Sequence, residues 1–288
     1  MTRGSRDALR SLALQHLSPE VAEKWLGLLR PGVRLEAASD PDGGVGRLGG
    51  LPALPASAEW PVWDGHGPLS FIAAVDCARL PAAALDIDLP DAGTLLFFYF
   101  DGQVDGGEAL VLAEDRDSWA GARVLYVAAD DEVAERDTPP GLKPYPTVPL
   151  AARVEMTATE PWHPSVRAAF APGAPMGNGY NHSVCSQEFL DALWEFDDEV
   201  GHQIGGHAHS VQNPVEIEVA EAILDGEGSW GGPRVSEEVG NWVLLAQFDS
   251  EDAAGMMWGD GGALYWLIRP EDLAERRFER AMFTWQCG

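Results

Sequence analysis

LSFIAAVD, Leu69 to Asp76, and DAGTLLFFY, Asp91 to Tyr99, decide the fold, because both patterns return near the C-terminus. The second pair is WVLLAQFD, Trp242 to Asp249, and DGGALYWLI, Asp260 to Ile268. The pairs superpose without a gap inside either piece: Asp76 on Asp249, Ala73 on Ala246, Asp91 on Asp260, Gly93 on Gly262 and Leu95 on Leu264. Each run is apolar throughout, too short for a typical helix and bounded by a turn signal, which reads as a strand covered on both faces. A unit of loop, strand, turn and strand is therefore duplicated. The expected first copy covers residues 43–128 and the second 201–287.

Outward from these runs, residues 1–34 read as a helical segment. Leu9, Leu12, Leu14 and Leu17 have mostly helical spacing, and Ser18-Pro19-Glu20 supplies an N-cap, a first-turn proline and an acid for the dipole of a second helix. Pro31-Gly32 stops that helix. Prolines 52, 55, 61 and 68 argue against a regular central strand between Gly43 and Pro68. Ala109 to Ala113, Ala122 to Ala128, Val148 to Thr157 and the closing AMFTWQC read as further strands, and SQEFLDALWEF from Ser186 as a helix with Phe189, Leu190, Leu193 and Trp194 on one face. The expected fold is α+β with pseudo-two-fold character, residues 35–287 forming one domain on which the N-terminal helical pair packs.

Composition narrows the partners. Nineteen basic against 46 acidic residues leave a formal net charge of −27 and an isoelectric point near 4.4. Such a surface repels nucleic acid and anionic membranes, and no basic cluster offsets it. A cationic partner is the charge-complementary choice. Cys77, Cys185 and Cys287 are odd in number and widely spaced, which fits a reducing cytoplasm better than a disulfide framework. No apolar run is long enough to span a bilayer.

At GGLPALP, EWPVWDGHGPLSFIAAVD, DAGTLLFFY, HQIGGHAHSVQ, LLAQFDSEDAAGMMWGDGGALYWLI and FTWQC the chain resembles the YwqG-like family of bacterial proteins, the domain-of-unknown-function 1963 family. The resemblance spans residues 35–287. It implies an α+β fold with an internal duplication, and it carries no activity and no catalytic residues.

Four groupings have the composition of chemical sites. Asp76 with Asp249, and Asp91 with Asp260, occupy equivalent positions, so a pseudo-axis that joined either pair would make a carboxylate dyad. The other reading is that each caps its own turn. His202, His207 and His209 flank the Gly205-Gly206 loop and are candidate metal ligands, although no helical ligand spacing is present and no cofactor is expected. Cys185, at a helix start with His182 three residues earlier, is a candidate nucleophile. Among eleven tryptophans, Trp60, Trp63, Trp230 and Trp258 lie in loop contexts suited to binding. The leading expectation is a cytoplasmic, non-catalytic binding protein using a groove between its halves for a basic protein or peptide, toxin neutralisation being one version. The alternative is a hydrolase using the aspartates or a histidine-bound metal.

Overall fold

The computed structural model describes residues 4–39, 44–173, 181–196, 201–227 and 232–288. Helices α1 (Arg6–His16) and α2 (Pro19–Leu26) start at Ser5 and Ser18, whose side chains accept hydrogen bonds from Ala8 N–H and Val21 N–H. Strand β1 (Arg30–Ala37) follows at once, crossing the boundary expected at residue 34. Pro31-Gly32, read as a helix stop, instead lies inside the strand, which offers so little periodicity that the sequence hides it.

The remaining strands of the main sheet are β2 (Gly46–Leu48), β3 (Ser70–Asp76), β4 (Thr94–Tyr99), β5 (Ala122–Val127), β6 (Val148–Thr157), β7 (His202–Gly205), β8 (Val243–Asp249), β9 (Ala263–Ile268) and β10 (Met282–Gln286). Their order is β10-β9-β8-β7-β1-β6-β2-β3-β4-β5, with every neighbouring pair antiparallel. Two consecutive meanders, β2 to β5 and β7 to β10, thus flank the central pair β1 and β6. Partners are exchanged at the centre: β2 pairs with β6 and β7 with β1.

The two quoted runs are β3 with β4 and β8 with β9. Each hairpin carries one register shift, between Phe71 and Ala73 and between Leu244 and Ala246. Each meander's first strand leads into a glycine pair at positive φ, Gly49-Gly50 and Gly205-Gly206, a conformation that side chains resist. Expected strand Ala109 to Ala113 is irregular instead, its Ala109 and Leu112 N–H groups bonded to Asp105 and Ser118 side chains.

The sheet curls until its halves face one another and is nearly closed. Phe97 of β4 lies 4.9 Å from Phe248 of β8 and 5.3 Å from Trp266 of β9, while Tyr99 stacks on Phe283 of β10 at 4.9 Å. Phe97, Phe248 and Trp266 are fully buried in one core that includes Val33, Leu35, Leu150 and Ile204 from the central strands. Among the described residues these side chains fill the inner side between the meanders.

Helices cover the outer face. Val215 and Val219 of α5 (Val215–Ile223) pack on Tyr265 and Leu267, while Ile217 and Ala220 meet Val235 and Val239 of α6 (Pro233–Val239). At the end of β6, α1 and α2 join α3 (Pro164–Phe170) and α4 (Gln187–Phe196) around Trp25, Val166 and Phe189. Trp25 meets Phe189 edge-on at 5.2 Å. A short helix, α7 (Pro270–Ala274), follows β9. None of the described helices is long and apolar enough to cross a membrane.

Candidate functional site

Directly opposed residues in antiparallel strands share a face, which places Gln203 of β7, Arg34 of β1 and Arg153 of β6 in one row on the outer side. Val33, Leu35 and Leu150 alternate with them and point into the core. Above this row opens a cavity of about 400 Å³. Its floor is polar, and α4 supplies an apolar wall through Leu190, Leu193, Trp194 and Phe196. The loop after β6 adds Glu160 and Trp162, and the loop after β7 adds His207 and His209.

The floor is internally compensated. Arg153 forms ion pairs with Glu36 at 2.6 Å and with Glu155. Buried Arg34 is also engaged, its guanidinium lying hard against the Gly201 backbone. Gln203 donates from Nε2 to the Gly205 and His207 carbonyls at 2.7 and 2.8 Å, fixing the loop that carries His207. Thr157 Oγ1 accepts from His207 N–H and donates to the Arg30 carbonyl.

One corner holds a cluster of ionisable groups. His207 Nε2 stands 2.8 Å from the Leu28 carbonyl, and burial drives its pKa down to about 4. His163 lies 5.8 Å away ring to ring and is likewise lowered by burial to about 4. Its Nδ1 accepts from Ser165 N–H, whereas buried Nε2 has no partner and lies 3.9 Å from Glu216 Oε2. Burial pushes Glu160 up to about 7, with Glu216 adding in the same sense, and raises Glu216 as well.

Of the residues singled out from sequence, His207 and His209 line the cavity, and the other described ones occupy other places. Asp76 accepts from Ala78 N–H, and Asp249 from Gly201 and Ser250 N–H. Each is thus a cap at the end of its own strand, and their strands stand five places apart in the sheet order. Asp91 and Asp260 are exposed at the two turns. His202 Nδ1 accepts from Asp249 N–H and its Nε2 faces Glu251 at 3.6 Å. His209 N–H donates to Gln247. The His202 and His207 rings hence serve separate backbone contacts, and among the described residues no group of three or more His, Cys, Asp or Glu is placed to hold a metal ion. Cys185 is half-buried beside the helical core, and His182 Nδ1 caps Val184 N–H.

The tryptophan reading inverts. Trp60, Trp63 and Trp258 donate their indole N–H to the carbonyls of Leu69, Asp117 and Asp249, and Trp258 is only 3 % exposed. They pack loops onto the core. Trp230 lies outside the described residues. Among the described residues the exposed indoles are Trp194, at 67 %, and Trp162, at 40 %, and both line the cavity. Helical spacing had put Trp194 on the buried face with Phe189, but α4 turns it toward the cavity.

Fold and site together define an α+β protein on a curled antiparallel sheet, with a half-apolar cavity over its central strands. The chain belongs to the family described as Domain of unknown function (DUF1963), whose model matches residues 46–287. No curated protein matches it.

Proposed function

We propose that this is a non-catalytic binding protein that takes an apolar-bearing segment of a basic protein or peptide into the outer-face cavity. One observation carries the reading: the two exposed tryptophans and the apolar face of α4 surround a 400 Å³ recess floored by polar groups already paired with one another. Apolar recesses edged by a few fixed polar groups suit ligands, and solvent-facing indoles suit anchoring. The net charge of −27 favours encounter with a cationic partner, a neutralised toxin being one instance. The three free thiols fit action in the cytoplasm.

The site also lies on the seam of what we read as a duplicated unit. Extending the repeat backward by register aligns PGVRLEA, Pro31 to Ala37, with PTVPLAA, Pro146 to Ala152. A Cβ on Gly206 would meet Gly32, as one on Gly50 would meet Thr147, the equivalent neighbour. On this reading each copy begins with a central strand, earlier than residues 43 and 201, and the copies swap partners there.

The test is binding of acetyl-Leu-Lys-Leu amide followed by tryptophan fluorescence. Trp194→Ala is expected to weaken binding at least tenfold, about 1.4 kcal/mol, while Trp60→Phe leaves it unchanged. Equal affinity in Trp194→Ala and the parent protein sinks the assignment.

A further inference from the structure

Glu160 and His207 both line the cavity, and the charges behind them are chemically one-sided. Glu160 accepts from Thr159 Oγ1 at 3.2 Å, and its nearest charged neighbour is a second carboxylate, Glu216 of α5. The guanidinium closest to the cluster, Arg30 of β1, gives Nε and Nη2 to Asp86 at 2.7 and 3.1 Å. A backbone carbonyl only accepts, so the proton of neutral His207 sits on Nε2 facing Leu28 and Nδ1 is left as an acceptor. Behind it, His163 Nε2–H aims at Glu216 across 3.9 Å, beyond hydrogen-bond reach, and finds no partner. Glu160 and the His207 Nδ1 lone pair thus line the cavity beside an apolar wall with Glu216 and His163 behind them, and the one guanidinium whose charge reaches Glu216 and both imidazoles, that of Arg30, is already held by Asp86.

We propose that this corner is a subsite for a primary ammonium group carried on an apolar chain, an inference that rests on the cavity being the binding site. The apolar chain lies along Leu190, Leu193 and Trp194, and the ammonium donates to Glu160 and to His207 Nδ1. An anion is disfavoured by the carboxylates, and a metal ion lacks a three-ligand set among the described residues. A compact ammonium, with three rotatable donors, suits acceptors that do not share a plane, as a guanidinium fork would require. Glu160 faces Glu216 from α5, while His207 from the loop after β7 faces His163, Glu216 and Arg30 from β1. An arriving cation stabilises the ionised carboxylate, so at neutral pH it displaces the proton that burial holds on part of the Glu160 population.

Isothermal titration of the full chain at pH 7 tests this with n-hexylamine, 1-hexanol, hexanoate and acetyl-Leu-Lys-Leu amide, in buffers of different ionisation enthalpy. The expected result is n-hexylamine at least tenfold tighter than 1-hexanol, hexanoate weaker than either, and a fraction of a proton released with the amine alone. Glu160→Gln should bring n-hexylamine to the level of 1-hexanol and abolish proton release, with 1-hexanol binding unchanged as evidence that the variant is folded. A tripeptide tighter than n-hexylamine assigns the ammonium to a lysine side chain; the reverse order assigns it to a small amine, and both support the subsite. Equal binding of amine and alcohol, or an amine preference that survives Glu160→Gln, overturns the subsite and leaves the cavity reading intact. Failure of all four to bind overturns both.

Discussion

His163 and His207 are held neutral by burial, with pKa values near 4, whereas an unfolded histidine titrates near 6.5. Between those limits the unfolded chain binds more protons, so stability falls as pH drops through this window, by on the order of 3 kcal/mol for each ring. Glu160 acts with the opposite sign. Its folded pKa near 7 lies above the ordinary 4.5, so its contribution is present below pH 4.5 and is lost as pH rises to 7. Folding therefore turns charged imidazolium and carboxylate into neutral forms, and the two limbs partly cancel. Urea denaturation at pH 4.5, 5.5, 6.5 and 7.5 should show His163→Gln with a shallower acid limb than the parent; identical slopes would refute the assignment. None of this was legible in the sequence, where neither His163 nor Glu160 belongs to a motif. The histidines near Gly205-Gly206 did stand out, but nothing in their spacing showed that the His202 and His207 rings serve different backbone contacts. Trp258 was misjudged for a related reason: an indole in a loop is covered when a backbone carbonyl is in place to take its N–H, and that carbonyl belongs to Asp249, nine residues away.

At the scale of elements, close backbone approach explains what pattern reading missed. Strand β2 is three residues long and sits between β3 and β6, where a Cβ on Gly46 would lie 2.2 Å from the Ala74 carbonyl oxygen. The neighbouring prolines argued against a central strand, but β2 ends before the first of them, so no ladder donor is lost. Gly46→Ala should destabilise the protein by more than about 2 kcal/mol, since sheet ladders must separate to admit the methyl. Gly106→Ala, with open space around a positive-φ glycine, should lose only about 1 kcal/mol. Comparable midpoints for the two variants in urea would contradict this account. The long apolar strands were readable because β3, β4, β8 and β9 are covered on both faces and so lack polar alternation. Helix α5 was not, since it carries apolar residues on two faces, one for the sheet and one for α6.

For the whole molecule, the aromatic contact between the meanders makes the halves one cooperative unit. Phe97 touches Phe248 and Trp266 across the core, and Phe97→Ala should lose about 3–5 kcal/mol. Far-ultraviolet dichroism and tryptophan fluorescence should report a single coincident transition in parent and variant; two separated transitions would show that the halves are independent. The recurrence of the strand pairs was visible in sequence, yet the cavity was not, because its lining is gathered from segments as distant as Arg34, Glu160, Trp194 and His207. The exchange of partners at the centre has a consequence for synthesis. Strands β1 and β2 are separated by only eight residues, but they never pair with each other; both wait for β6, about 110 residues beyond the end of β1. At ~5–20 residues per second a ribosome takes roughly 5–20 s to deliver it. Throughout that interval β1 has neither of its partners and β2 has only β3, so the nascent chain exposes unpaired strand edges until β6 emerges and joins β1 to β2.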